Sequence, residues 1–282
     1  MKIGMITPCY NGAELIEETV CSVLNQTALR RGAVLLQYLI VDGGSTDGTV
    51  ERLRNLSLPP NVSITSQRDD GMYDALADGI RRLDSDVDVV GYINAGDRLY
   101  PSAFGVLSEV FTDEGVNWVT GYDAYVNLEG ATVGVRLPFR YRPNLVKAGQ
   151  YGKSLPSIQQ ESTFWRRSLL QDVDLARLAS YRLAGDSYLW SVFNERNELT
   201  IIKTLLGAFA YHGNHLSDAR SRYSDEVSRH ARKATVRDLL YVAVDKLMWR
   251  NPDRVKQTFN PDIRVFRLDT QQWAPRRKFR RS

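Results

Sequence analysis

The stretch Leu35-Leu36-Gln37-Tyr38-Leu39-Ile40-Val41-Asp42-Gly43-Gly44-Ser45-Thr46-Asp47-Gly48-Thr49 decides the fold. Leu35 to Val41 is a short run of mostly apolar side chains and reads as a buried strand. Asp42 ends it, the segment from Gly43 to Gly48 is dense in turn formers, and a helix is expected from Thr49 to about Leu56. Outward in both directions the same order repeats. Lys2 to Thr7 reads as a strand ended by Pro8, and a helix over Glu14 to Asn25 follows, with Leu15, Ile16, Val20, Val23 and Leu24 at helical spacing. Val62 to Gln67 leads through Asp69-Asp70-Gly71 into a helix from Tyr73 to Leu83, and Val87 to Ile93 runs into Asn94-Ala95-Gly96-Asp97. Strands alternating with helices over short connections predict an α/β fold, a doubly wound and mostly parallel sheet with helices on both faces.

Ligands of such sheets bind beyond the carboxyl ends of the strands. The loops there carry Thr7-Pro8-Cys9-Tyr10-Asn11, Asp42, Arg68-Asp69-Asp70 and Asn94 to Asp97. Carboxylates gathered at one mouth repel unless a cation or hydrogen-bond donors offset their charge, which points to a metal-assisted site for a phosphorylated ligand. Singly, Asp42 and Asp47 read equally well as turn or cap residues. No G-x-G-x-x-G opens the first helix and no G-x-x-x-x-G-K-[ST] occurs, so neither a dinucleotide fingerprint nor a P-loop is available.

The chain has 282 residues, 43% hydrophobic and 25% charged, which is ordinary for a packed domain and excludes disordered, collagen-like and coiled-coil classes. No apolar run approaches a membrane span and no secretory leader is evident. Cys9 and Cys21 support neither a zinc site nor a disulfide framework, and a cytoplasmic setting is expected. Charge is divided unevenly. Residues 1–219 carry 20 Lys+Arg against 26 Asp+Glu, whereas residues 220–282 carry 17 against 7. The basic end finishes in Arg276-Arg277-Lys278-Phe279-Arg280-Arg281, and between Glu226 and Arg250 the positions Val236, Leu239, Leu240, Ala243, Leu247 and Met248 recur at helical spacing. Such a helix suits an anionic membrane surface, or equally a seat on the body with a solvated basic face. Nucleic acid is not expected, because no helix-turn-helix, zinc-finger or RNA-reading pattern is present.

Three stretches, Ile6-Thr7-Pro8-Cys9-Tyr10-Asn11-Gly12, Val23-Leu24-Asn25-Gln26-Thr27 and Ile40-Val41-Asp42-Gly43-Gly44-Ser45-Thr46-Asp47-Gly48-Thr49, resemble those of the family 2 glycosyltransferases. Asp70-Gly71-Met72-Tyr73-Asp74-Ala75 is similar to the family's G-I-Y-D-A segment. Tyr92-Ile93-Asn94-Ala95-Gly96-Asp97 stands at its D-x-D position, and Gln159 to Arg167 and Ala184 to Trp190 resemble its acceptor-side motifs. The likeness spans about residues 3 to 195. It implies the GT-A fold, a Rossmann-like mixed sheet flanked by helices, over residues 1–218 (a nucleotide-binding half, 1–100, and an acceptor-side half, 101–218), with residues 219–282 as a basic helical extension.

The resemblance also implies roles. Thr7, Pro8 and Tyr10 would surround the nucleotide base, and Asp42 would accept its imide proton, which favours a uridine or thymidine diphosphate donor. Asp69 or Asp70 would approach the nucleoside. Asp97 retains the last D-x-D carboxylate and would bind Mg²⁺ or Mn²⁺, while Gly96 and Asn94 stand where further polar contacts are usual. Asp186 would be the catalytic base. Glu161 would contact donor sugar or acceptor, Trp165 and Trp190 would offer apolar faces to a sugar, and His212 would face the metal or diphosphate. These roles describe an inverting, metal-dependent transferase acting on a saccharide or lipid-linked saccharide acceptor in polysaccharide assembly, cytoplasmic or peripheral to the inner membrane face, with a homo-oligomer left open. The rivals are a sugar-phosphate nucleotidyltransferase, although Pro8-Cys9-Tyr10-Asn11 lacks its phosphate loop, and a non-catalytic sugar-binding scaffold.

Overall fold

The computed structural model describes residues 1–211 and 220–275. In chain order the strands are β1 (Lys2–Cys9), β2 (Leu35–Asp42), β3 (Val62–Ser66), β4 (Val89–Tyr92), β5 (Arg98–Leu99), β6 (Trp118–Thr120), β7 (Asp123–Val126), β8 (Thr132–Arg136), β9 (Thr163–Arg166), β10 (Thr200–Ile201), β11 (Gly207–Ala210), β12 (Arg264–Arg267) and β13 (Gln272–Pro275). The first five α-helices are α1 (Ile16–Leu24), α2 (Thr27–Arg30), α3 (Thr49–Asn55), α4 (Met72–Arg81) and α5 (Ala103–Val110). After them come α6 (Pro143–Lys147), α7 (Leu175–Ala179), α8 (Gly185–Phe193), α9 (Arg220–Val227), α10 (Val236–Trp249) and α11 (Asp253–Phe259).

Seven strands form the main sheet in the order β10-β6-β9-β4-β1-β2-β3. All neighbours are parallel except at β9, which runs antiparallel to both β4 and β6. The α/β sheet expected from the alternation is therefore present, mixed but mostly parallel. A second sheet, β5-β11-β7-β8, stands beside it. The stretch from Thr200 to Ala210 is divided between the two, with β10 in the main sheet and β11 in the second.

The first strand continues through Pro8 to Cys9 rather than stopping at Thr7, pairing with β2 along its whole length. Proline is tolerated there because β4 has ended. The last bond on that side is Ile93 N–H to the Ile6 carbonyl at 2.9 Å, so Pro8's missing donor faces no strand. Ile3, Met5 and Ile6 are fully buried beneath α1 and α4, which is what fixes the sheet's centre.

The C-terminal elements are packed on the body. The single helix suggested between Glu226 and Arg250 is two helices, because Thr235 and Asp238 form a reciprocal capping box that starts α10 anew. Asp245 of α10 is fully buried and takes a bidentate bond from Arg142 at 2.8 and 2.9 Å. Trp249 lies edge-on to Tyr141, with ring centroids 5.5 Å apart. Glu226 of α9 accepts the backbone N–H groups of Arg182, Leu183 and Ala184 at 2.8–3.1 Å, which are the last residues before α8. No helix among the described residues is long and apolar enough to cross a membrane.

Two stability predictions follow from these ties. Asp245→Ala leaves the Arg142 guanidinium without its partner and should lower unfolding free energy by about 3 kcal/mol in urea titrations; an unchanged midpoint would show the pair to be dispensable. Glu226→Ala strands three backbone donors and should cost roughly 2 kcal/mol, with Glu226→Gln, which keeps an acceptor, costing less.

Candidate active site

Four loops meet at the carboxyl end of β4, β1, β2 and β3, and they are laced together by short polar side chains. Asn11, held at a positive φ of 48°, accepts the Thr46 N–H at 3.0 Å, and its own N–H reaches Ser45 Oγ at 2.7 Å. Asp47 accepts the Ala13 N–H at 3.0 Å and the Thr49 N–H at 3.0 Å, so the turn after β2 grips the turn after β1. Gly12 lies so near Ala95 that a Cβ would sit 3.2 Å from the Ala95 Cβ, and a Cβ on Gly43 would press on the Asp69 carboxylate.

Asp42 is fully buried at the tip of β2. Its carboxylate accepts the Gly44 and Ser45 N–H groups at 3.1 and 3.0 Å, the Ser66 hydroxyl at 2.6 Å, the Ser45 hydroxyl, and the Cys9 thiol at 3.7 Å. Burial raises its pKa, but these donors outweigh burial and hold it below the usual carboxylate value. The group is committed to organising its own loop. Thr7 is likewise buried, its hydroxyl 2.9 Å from the Tyr38 hydroxyl, and Pro8 is buried within β1, whereas Tyr10 is 64% exposed and offers its ring to solvent. Asp69 is half-buried; burial, followed by the Asp74 and Asp42 charges, lifts its pKa against the opposing Gly71 N–H. Asp70 is exposed and meets Arg182 at 3.4 Å.

The second group of residues is a set of acids with fewer donors. Asp97 follows β4 on a loop held by Thr19 of α1, whose hydroxyl donates to the Asp97 carbonyl at 2.8 Å and accepts the Gly96 N–H at 2.9 Å. Asp97 is 4% exposed and takes one backbone donor, Ala210 N–H, at 2.9 Å. Its other neighbour is the Glu161 carboxyl, equally buried, which stands in a 3₁₀ turn (Gln160–Ser162) just before β9. Gly207 of β11 comes so near that turn that any Cβ there would overlap the Glu161 carbonyl. Burial, then the Glu161 charge, pushes Asp97 well above its ordinary pKa, and burial lifts Glu161 as well. Two carboxyls so close and so buried resist carrying both charges at once. Asn94, between β4 and Asp97, leaves its buried side-chain oxygen without a hydrogen-bond partner.

Asp186 is the third acid. It lies in the first turn of α8, half-buried, accepting the Ser187 N–H at 2.7 Å. Burial pushes it up to about 7, with the Glu161 charge adding to the rise and the Ser187 and Tyr73 donors opposing it. Its placement rests on two contacts that sequence reading did not single out. Gly185 has no room for a Cβ because the Tyr73 ring of α4 fills that space, and Glu226 clamps the backbone immediately upstream. His230 joins the same wall, its ring nitrogens 3.0 Å from the Tyr181 hydroxyl and 3.2 Å from the Ser187 hydroxyl; burial drops its pKa to about 4. The Tyr73 signal was available in its motif, but Glu226 and His230 lie more than 40 residues from their partners and carry no local signature.

Trp165 and Trp190 belong to an aromatic cluster under this floor. Trp165 is 0% exposed and lies 5.7 Å from Trp190, which stacks on Trp118 at 5.6 Å. Trp165 therefore presents no free ring face, while Trp190 borders a small cleft with Asp186 and Tyr223. His212 lies outside the described residues. Hard carboxylate oxygens at Asp97 and Glu161 are chemically suited to Mg²⁺ or Mn²⁺, although no cluster of three or more His, Cys, Asp or Glu gathers among the described residues.

No curated protein sequence matches the chain. Solved structures do. TarS residues 1–349 from S. aureus, in complex with UDP-GlcNAc, gives a TM-score of 0.57 at 16% identity, over 93% of this chain and 71% of that one. The mannosyltransferase PcManGT from Pyrobaculum calidifontis, in complex with GDP-Man and Mn²⁺, gives 0.57 at 19% identity, over 91% and 73%. Mannosyl-3-phosphoglycerate synthase from Rubrobacter xylanophilus gives 0.51 at 20%, over 82% and 72%. At these identities the likeness establishes the GT-A fold. The sequence family described as "Glycosyl transferase family 2" matches residues 5–173, more than half of the chain, from β1 through the Asp97 loop and β9, and this protein belongs to that family.

Proposed function

We propose that the protein transfers a sugar from a UDP or dTDP donor to a saccharide or lipid-linked saccharide acceptor, inverting the anomeric centre, in the assembly of a polysaccharide. A nucleotide-sugar donor follows from the family; the base, acceptor and stereochemistry are this reading. The observation that carries it is Asp186, an aspartate pushed up to about 7 beside the Glu161 charge and held at the head of α8. A carboxylate so poised takes a proton near neutral pH.

In the reaction, the acceptor hydroxyl attacks the anomeric carbon, its proton passes to Asp186, and the bond from that carbon to the diphosphate oxygen breaks. The exposed Tyr10 ring is the stacking surface for the base, with Asp69 near the nucleoside. Asp97, with Glu161 beside it, would hold Mg²⁺ or Mn²⁺, and that ion would neutralise charge on the departing diphosphate. The bound TarS and PcManGT ligands, UDP-GlcNAc and GDP-Man with Mn²⁺, are compatible with such a site.

Asp186→Asn should lower kcat by about 10²–10⁴-fold with little change in donor KM. Because the base must be ionised, wild-type kcat/KM should fall as pH drops below about 7, and the variant should lose that limb. Retained turnover with the limb intact would remove Asp186 from its role. In a thermal-shift panel, UDP or dTDP with Mn²⁺ should raise the melting temperature through mass action. Asp97→Asn should abolish the metal-dependent part of that rise, and an equal rise in the variant would place the metal elsewhere.

A further inference from the structure

Helix α10 is amphipathic in the inverted sense. Its two acids face the body and are consumed there: Asp245 is bound by Arg142, and Asp238 takes Arg232 at 2.6 Å and the Asn144 amide at 2.6 Å. Val242 and Trp249 complete the inward face. The outward face carries Val236, Leu239, Leu240, Ala243, Val244 and Leu247, with Val236 77%, Leu240 64% and Leu247 67% exposed. At 3.6 residues per turn these six fall in one arc. Arg237 borders the arc on one side and Lys246 on the other, and Arg250 closes its C-terminal end, all exposed. No acidic side chain of α10 is exposed. A row of large aliphatic side chains kept in water by a helix whose acids are buried calls for an occupant.

We infer that this face of α10 lies flat on an anionic lipid surface. A helix of 14 residues is about 21 Å long, enough to rest in the headgroup boundary while Leu240 and Leu247 enter the acyl edge. Cations bordering an apolar arc are placed to extend sideways and upward to lipid phosphates while their methylene stems cover the apolar row. No exposed acid of α10 itself opposes a negative surface. A second copy of the chain is a poorer occupant, because pairing two such faces would bring their cationic borders together.

The test is cosedimentation of the full chain with phosphatidylcholine vesicles and with mixed phosphatidylcholine–phosphatidylglycerol vesicles, at low and high salt, alongside analytical ultracentrifugation without lipid. Binding to the anionic vesicles alone, released by salt, is expected. Leu240→Gln with Leu247→Gln should abolish it, and Arg237→Gln with Lys246→Gln and Arg250→Gln should weaken it on the order of 100-fold. Both variants change only outward side chains, and unaltered melting curves would confirm that they fold. The proposal is overturned if the wild type stays in the supernatant, if both folded variants bind as the wild type does, so that another basic segment is responsible, or if ultracentrifugation shows a dimer that Leu240→Gln with Leu247→Gln dissolves.

Discussion

A carboxyl group taken out of water must find donors, a cation or a proton, and this requirement sorts the buried acids of the molecule into two kinds. Asp42, Glu226, Asp238 and Asp245 find donors. Each is surrounded by N–H, hydroxyl or guanidinium groups, and each fixes a piece of architecture: the turn after β2, the entry to α8, the cap of α10 and the seat of α10 on the body. Asp97, Glu161 and Asp186 do not find enough. Burial raises the pKa of all three, and the Glu161 charge adds to the rise at Asp97 and Asp186.

That division is what separates scaffold from chemistry. Carboxylates so surrounded have most of their lone pairs engaged by the protein itself. Undersatisfied ones keep lone pairs free, which the proposed function assigns to a divalent ion at Asp97 and to a proton at Asp186. The saturated set also maintains the undersatisfied one, because the Glu226 clamp and the Tyr73 ring against Gly185 leave the first turn of α8 little freedom to carry Asp186 toward solvent, where it would regain ordinary acidity. Thr19 does the same for the loop bearing Asp97, accepting from Gly96 and donating to the Asp97 carbonyl.

The C-terminal helices take part in both arrangements. Glu226 and His230 reach the wall around Asp186, so the basic end of the chain helps to hold that wall. Helix α10, further along, turns its acids inward and its aliphatic side chains outward. One segment therefore carries both a support of the site and a surface of quite different chemistry, and its inward acids are neutralised by Arg142 and Arg232.

The sequence by itself determined the alternation of strands and helices from β1 to β4, the polar loops at their carboxyl ends and the motif order that carries the family, because apolar periodicity and turn chemistry are local properties. It also marked Asp97, Glu161 and Asp186 as acids of interest. Only the tertiary structure decided that β9 runs antiparallel between β4 and β6, that the segment ending at Ala210 is split between two sheets, that Asp42 spends its lone pairs on its own loop and that Trp165 is core. The same holds for the roles of Glu226 and His230 and for the direction in which α10 faces. Each of these turns on which distant groups are brought within hydrogen-bond reach and what burial then costs a charge, and neither can be read from neighbours along the chain.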